Sequence, residues 1–327
     1  MMNVALISSW HVHAKGYARE IKEIPGASLS AVWDANPAIG KEWATELGCA
    51  YQPDFSALLR DSALDGIILT APTNEHAAFL EQAALAGKHI FTEKVMTLTS
   101  AEARRVRAAV EQSGVVLTIS FPHICEAPIR TARDILRSGV LGTVSYARVR
   151  KAHDGLRWLP DSFFDPVAAG GGAMMDLGAH PMYLLPWLLG QPDSVLSCYT
   201  NVADKAVEDN AVSVFSFPGG VIGVSETAFA SAHNPFSLEI SGTQGTLQFY
   251  DGVLRYRADA TEGRWVEVTE FSPALPNPLE LWVRAVTEDG ENPLNLDLAE
   301  QLTIVMEAAY AAAESGKRIA LAHCATA

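Results

Sequence analysis

Short runs of unbroken apolar residues alternate with longer amphipathic stretches through the first third of the chain. Asn3–Ile7, Leu29–Trp33, Gly66–Leu69, His89–Phe91 and Val115–Ile119 are too short and too uniformly apolar for surface helices. They are expected as strands buried on both faces. Between them Ala14–Ile24, Pro37–Leu47, Asn74–Ala86 and Ser100–Gln112 carry helical spacing. Pro37 and Ser100 mark helix starts, and Gly48, Gly87 and Gly114 follow helix ends. Strand–helix alternation of this kind predicts right-handed crossovers and a doubly wound parallel sheet covered by helices on both faces.

The rhythm changes past residue 120. One helix, Ala127–Arg137, closed by Gly139, leads to a strand and a loop-rich stretch, Ala152–Gly172. A second helix is expected over Ala173–Leu189. Closely spaced β-like runs follow at Val195–Asn201, Ala211–Phe217, Val221–Ala228, Ser237–Ser241, Thr246–Tyr250 and Trp265–Thr269. Gly219-Gly220, Gly242 and Asp251-Gly252 lie between them, as hairpin turns require. A final helix, Leu296–Ser315, ends at Gly316, with Lys317 and Arg318 beside its negative dipole end. The fold class expected is α/β: a Rossmann-type domain over residues 1–121, then an α+β domain over 122–327 with an open, largely antiparallel sheet.

Composition agrees with that division. A chain of 327 residues exceeds one ordinary core, and its 49% hydrophobic and 19% charged residues are those of a globular protein. A net charge of -14, with no basic cluster, argues against nucleic acid as a partner. Cys49, Cys125, Cys198 and Cys324 form no metal-type or C-x-x-C spacing and are expected as reduced thiols in a cytoplasmic protein. The N-terminus has no basic region or long apolar run, and no stretch reaches the ~18 apolar residues of a membrane span.

Candidate chemistry gathers where strands end. The loop Ser8–His13 joins a strand to a helix, where backbone N–H groups can receive a pyrophosphate. In place of G-x-G-x-x-G it reads Ser8-Ser9-Trp10-His11-Val12-His13. Asp34 closes the second strand, where a carboxylate accepts from the adenosine ribose hydroxyls and repels a 2′-phosphate, favouring NAD over NADP; it is equally placed to cap the turn before Asn36-Pro37. No third ligand accompanies His11 and His13 at a zinc-type spacing, so no metal is expected. Thr70, Pro72, Asn74 and His76 follow the Gly66–Leu69 strand and either line a cofactor or cap the next helix. Glu93-Lys94 ends another strand, where a lysine can hydrogen-bond a substrate hydroxyl. In Gly170-Gly171-Gly172-Ala173-Met174-Met175-Asp176-Leu177-Gly178-Ala179-His180, the glycines permit close approach. A helix there would set Asp176 and His180 at i and i+4 on one face, suited to paired acid–base chemistry or to a purely structural pairing.

Five ordered segments resemble the Gfo/Idh/MocA family of oxidoreductases along nearly the whole chain: Ala86–Lys94, Ser138–Val144, Gly170–His180, Ile240–Leu247 and Ala308–Lys317. The resemblance implies hydride transfer between NAD(P) and a secondary alcohol of a sugar, inositol or related polyol. By position Lys94, Asp176 and His180 are similar to the family's catalytic residues. His180 would serve as base, Lys94 would polarise the reacting oxygen, and Asp176 would orient substrate or base. His153, Arg157 and Trp158 become candidate substrate contacts. A homodimer or homotetramer through the second sheet is also implied. Ser8, Trp10, His11, Val12, Asp34, Thr70, Pro72, Asn74, His76, Glu93 and Lys94 are then the cofactor-side candidates. The chain departs from the family in its glycine-free first loop and in Val95, which stands where a proline usually follows Glu-Lys. Two other readings compete: a redox-neutral lyase or epimerase that retains NAD, and a sensing homologue without turnover.

Overall fold

A computed structural model describes residues 1–288 and 290–321. The described residues form two compact units, one of residues 1–121 with 276–303, the other of residues 122–275 with 304–321.

The first unit is built on strands β1 (Met2–Ile7), β2 (Ala27–Trp33), β3 (Ala50–Tyr51), β4 (Gly66–Leu69), β5 (His89–Thr92) and β6 (Leu117–Ile119). They pair in the order β3-β2-β1-β4-β5-β6, every neighbour parallel. The order reverses between β1 and β4, where open sheets of this kind present a ligand crevice beyond their carboxyl ends. Register aligns those ends. Trp33 pairs with Ile7, Ile7 with Leu69, Leu69 with Thr92, and Thr92 with Ile119. The next residues, Asp34, Ser8, Thr70, Glu93 and Ser120, therefore issue from one edge.

Local signals account for the connecting helices. Asn36 accepts from the Ala38 N–H ahead of the helix Pro37–Leu47, and Gly48 ends it at φ 66°. Thr99 and Glu102 form a capping box that opens Ser100–Ser113. The short strand β3 and the helix Phe55–Arg60 escape a periodicity reading because two and six residues carry too little pattern.

A single cut after Phe121 needs amending. The helix Pro278–Thr287 belongs to the first unit, where Trp282 and Leu279 are fully buried among Met2, Val4, Leu6 and Phe91. Gly66 has no side chain, and a Cβ there would meet the Trp282 ring at 2.9 Å.

The second unit holds β7 (Val144–Ala152), β8 (Ser194–Thr200), β9 (Asn210–Ser216), β10 (Ile222–Ala228), β11 (Ser237–Gly242), β12 (Gly245–Tyr250), β13 (Val253–Ala258), β14 (Val266–Glu267) and β15 (Ile319–Ala320). Their order is β14-β13-β12-β11-β7-β10-β9-β8-β15, antiparallel except where β10 meets β7. Burial alternates along β7 and β9: Ala147, Val149, Ala211 and Phe215 face inward, and the helix Ala179–Leu189 packs against β7 and β10.

The expected helix Ala173–Leu189 is shorter than its apolar run. It begins at Ala179, and residues 173–178 form turns with Asp176 N–H bonded to the Gly172 carbonyl and Gly178 N–H to that of Ala173. Gly178 at its start and Pro181 in its first turn are ordinary helix-opening residues. Among the described residues no helix is long and apolar enough to cross a membrane. Cys49, Cys125 and Cys198 are free thiols; Cys324 lies outside the described residues.

Candidate active site

In the first unit the loop after β1 turns without a glycine. Ser8 itself takes a left-handed conformation, φ 69°, and its N–H bonds the Trp33 carbonyl at 2.7 Å. The Thr70 hydroxyl donates to the Ser8 carbonyl at 2.6 Å, and His11 N–H donates to the Thr70 carbonyl at 3.1 Å. The loop is thus fastened from both flanking strands by groups other than glycine. The helix Ala14–Glu23 that follows has no side-chain cap at its N-terminus, leaving the end that attracts anions uncovered by a carboxylate or hydroxyl. Trp10 is half-buried beside it, and Val12 and His13 are exposed.

Asp34 is buried at the end of β2. Its Oδ2 accepts from Ser9 N–H at 2.9 Å and the Ser9 hydroxyl at 2.8 Å, and Oδ1 accepts from Asn36 N–H at 2.9 Å. An ionised carboxylate has about four acceptor sites, so Asp34 both caps the turn and keeps capacity for a ribose hydroxyl. The turn-capping alternative is the one these bonds show. Glu75 adds negative charge nearby: burial first, then the Asp34 charge, raises its carboxyl above the usual range. Sequence spacing gave no sign of that pairing.

Thr70 and His76 are fully buried and bond to backbone. His76 stands with Nδ1 2.9 Å from the Val95 carbonyl and Nε2 3.0 Å from that of Ala71, tying together the segments after β4 and β5. Asn74 is exposed and Pro72 half-buried on the same connection.

Glu93 is 1% exposed yet surrounded by partners. Oε1 lies 2.8 Å from His13 Nδ1 and 3.8 Å from His11 Nδ1, and it accepts from the Tyr17 hydroxyl, which stands 2.8 Å from Ser120 Oγ. Oε2 accepts from Lys94 N–H at 3.1 Å. Burial would raise this carboxyl, but His11, His13 and Lys94 outweigh it and hold it well below the carboxylate range. Among the described residues His11, His13 and Glu93 thus form a group of three ligand-type side chains, with donor atoms within 4.8 Å of one another. The expectation of no third ligand is corrected: Glu93 comes from a strand 80 residues beyond His13. Lys94 is buried beside it, and the Lys94–Val95 peptide is cis.

In the second unit the glycine segment is held by Glu208, which sequence reasoning missed. Its Oε1 accepts from Gly172 N–H at 2.9 Å, Met174 N–H at 3.0 Å and the Tyr310 hydroxyl at 2.6 Å. A Cβ on Gly172 would overlap the Glu208 carbonyl, and one on Gly171 the Tyr310 hydroxyl. The turn therefore presents Asp176 from a non-helical loop and His180 from the first turn of a helix, which removes the common helical face expected for the pair.

His180 is buried with Nδ1 3.0 Å from the Tyr183 hydroxyl, one turn along its helix. The Tyr183 oxygen also accepts from His123 N–H at 3.3 Å. The His123 ring meets His180 edge-on at 4.8 Å, stacks on Phe236 at 4.7 Å, and places Nδ1 2.8 Å from Glu126. In the tautomer with the proton on Nδ1, directed at Tyr183, Nε2 carries the lone pair. The loop after β7 brings His153 and Trp158 together, ring centroids 4.9 Å apart, with Trp158 exposed; Arg157 is exposed and pairs with Asp154 at 3.0 Å.

Comparison with known proteins accords with both halves. Residues 3–121 match the model of an oxidoreductase family with an NAD-binding Rossmann fold, and residues 129–248 match a GFO/IDH/MocA C-terminal domain. The chain is 25% identical to scyllo-inositol 2-dehydrogenase (NAD(+)) of Bacillus subtilis over 93% of its own length and 90% of that protein's. It is 26% identical to D-apiose dehydrogenase of Paraburkholderia graminis over 98% and 88% of the two lengths. Levoglucosan dehydrogenase, solved with NADH and levoglucosan, superposes with a TM-score of 0.86 at 20% identity, covering 98% of this chain and 100% of that one. Rossmann edge, mixed sheet and family models agree: the chain belongs to the Gfo/Idh/MocA family of oxidoreductases.

Proposed function

We propose that the protein is an NAD-dependent dehydrogenase oxidising a secondary alcohol of a sugar, inositol or related polyol. The carrying observation is the common sheet edge from which Ser8, Asp34, Thr70 and Glu93-Lys94 issue. These residues fit a dinucleotide: an acidic acceptor ends β2, a tight turn without glycine ends β1, and the following helix N-terminus lacks a side-chain cap. NAD, when bound, supplies a hydride acceptor. Asp34 receives the adenosine ribose hydroxyls, and with Glu75 beside it a 2′-phosphate is repelled, which favours NAD over NADP. With NAD bound, Trp10, His11 and Val12 would border the phosphates, and Thr70, Pro72, Asn74 and His76 would line the cofactor on the connection after β4.

On the substrate side, His180 takes the alcohol proton at Nε2, in the tautomer that keeps the other proton on Nδ1, 3.0 Å from the Tyr183 hydroxyl. Lys94 donates to the substrate oxygen as it gains carbonyl character. Asp176 orients the substrate or the base, and His153, Arg157 and Trp158 contact the sugar hydroxyls. Homo-oligomerisation through the second sheet is supported by its outer face, where Leu196 pairs with Val214, both exposed, and Ile222 is exposed on the adjoining strand.

The test is NADH formation from NAD with a panel of inositols and aldoses. NADH equal to ketone product is expected, with Lys94→Ala and His180→Ala each lowering kcat by roughly 10²–10⁴-fold. Turnover of a sugar without net NADH would reassign the protein to redox-neutral chemistry.

A further inference from the structure

The glycine-free first loop carries two histidines, and both face one buried carboxylate. His13 Nδ1 is 2.8 Å and His11 Nδ1 3.8 Å from Glu93 Oε1, and all three donor atoms fit within 4.8 Å. Ligands about 2.0–2.2 Å from a zinc ion stand roughly 3–3.5 Å apart at angles between octahedral and tetrahedral. The two separations from Glu93 bracket that spacing, and His11 Nδ1, which accepts from His13 N–H at 3.2 Å, exchanges that bond for the metal on binding. We propose that His11, His13 and Glu93 bind a divalent transition-metal ion.

Two imidazoles and one carboxylate select the metal class. Such donors suit zinc, iron(II), cobalt or nickel, whereas magnesium and calcium call for an all-oxygen shell. The carboxylate is already oriented as a ligand. Tyr17, backed by Ser120, donates to Oε1, and Lys94 N–H donates to Oε2, leaving Oε1 a second lone pair toward the histidines. Two ligands come from the β1 turn and the third from the end of β5, so the ion would clip the glycine-free loop to the sheet edge. His11 and Glu93 are buried while His13 is 54% exposed, so the side toward His13 is open to an entering ion and to a fourth ligand such as water. The proposal concerns metal binding to the protein alone and stands whether or not a nucleotide binds.

The experiment uses the full chain stripped with a chelator. Zinc is titrated against a chromophoric competitor, and cobalt(II) is added separately to read its d–d absorption. The expected result is one zinc per chain and a cobalt spectrum of low coordination number with nitrogen and oxygen donors. Because its ring is 54% exposed, His13→Ala should fold, with a metal-free unfolding midpoint lowered by loss of the hydrogen bond to Glu93. It should also weaken zinc by more than roughly 100-fold, beyond the loss that outer-sphere partners alone produce, and erase the cobalt bands. Glu93→Gln should do the same if it folds; if it does not, the His13 variant decides. No zinc above background, or zinc bound equally by wild type and His13→Ala, overturns the proposal.

Discussion

At the scale of single residues, the proposed base His180 is held by a neighbour that the sequence pattern did not single out. Tyr183 sits three residues after His180 with its hydroxyl 3.0 Å from Nδ1, a partnership that a search for carboxylates passes over. Tyr183→Phe should lower kcat by roughly five- to tenfold, the loss of one hydrogen bond of about 1 kcal/mol in the reaction's barrier. KM should change little, and steady-state kinetics on the best substrate reads both. An unchanged kcat would free Tyr183 of the role. His76 offers a pH prediction. Burial pulls its imidazole below the ordinary value although the Val95 and Ala71 carbonyls pull the other way. The unfolded chain therefore binds the proton more readily. His76 contributes stability above the ordinary histidine pKa of about 6.5 and loses it as pH falls below that. Denaturation midpoints should decline over that range more steeply in the wild type than in His76→Gln; parallel curves would contradict the assignment.

At the scale of elements, helix starts and stops were legible wherever capping chemistry is local. Pro37, Ser100, Gly48 and Gly114 each sit at the boundary that their chemistry predicts. The glycine segment was legible as a candidate site but not as a shape. Its apolar residues run on into a helix in composition, while its geometry is dictated by Glu208 and Tyr310, some 36 and 138 residues further on in sequence, counting from Gly172. Such long-range hydrogen bonds leave no periodic trace. Glu208→Ala removes the acceptor shared by two backbone N–H groups and a phenol. It should cost about 1–3 kcal/mol, seen as a lower unfolding midpoint, and should also lower kcat because His180 follows this turn. Full activity with intact stability would show that the turn holds itself.

At the scale of the whole molecule, alternation of strands and helices was enough to predict a parallel sheet followed by a mostly antiparallel one. What it could not predict was the return of residues 276–303 to the first unit. The helix Pro278–Thr287 looks like any amphipathic helix, and only Gly66 across from Trp282 records where it docks. Trp282→Ala should cost about 3–5 kcal/mol as a buried aromatic leaves a cavity, measurable by chemical denaturation. A cost below 1 kcal/mol would mean that this helix is dispensable to the first core.

The account turns on nucleotide binding by a Rossmann edge without glycines, and calorimetric titration of the purified protein with NAD and NADP addresses it most directly. It predicts that NAD binds more tightly than NADP, and that Asp34→Ala weakens NAD at least about tenfold, as loss of a charged acceptor should. Binding of neither nucleotide at millimolar concentration, with none carried through purification, would contradict it.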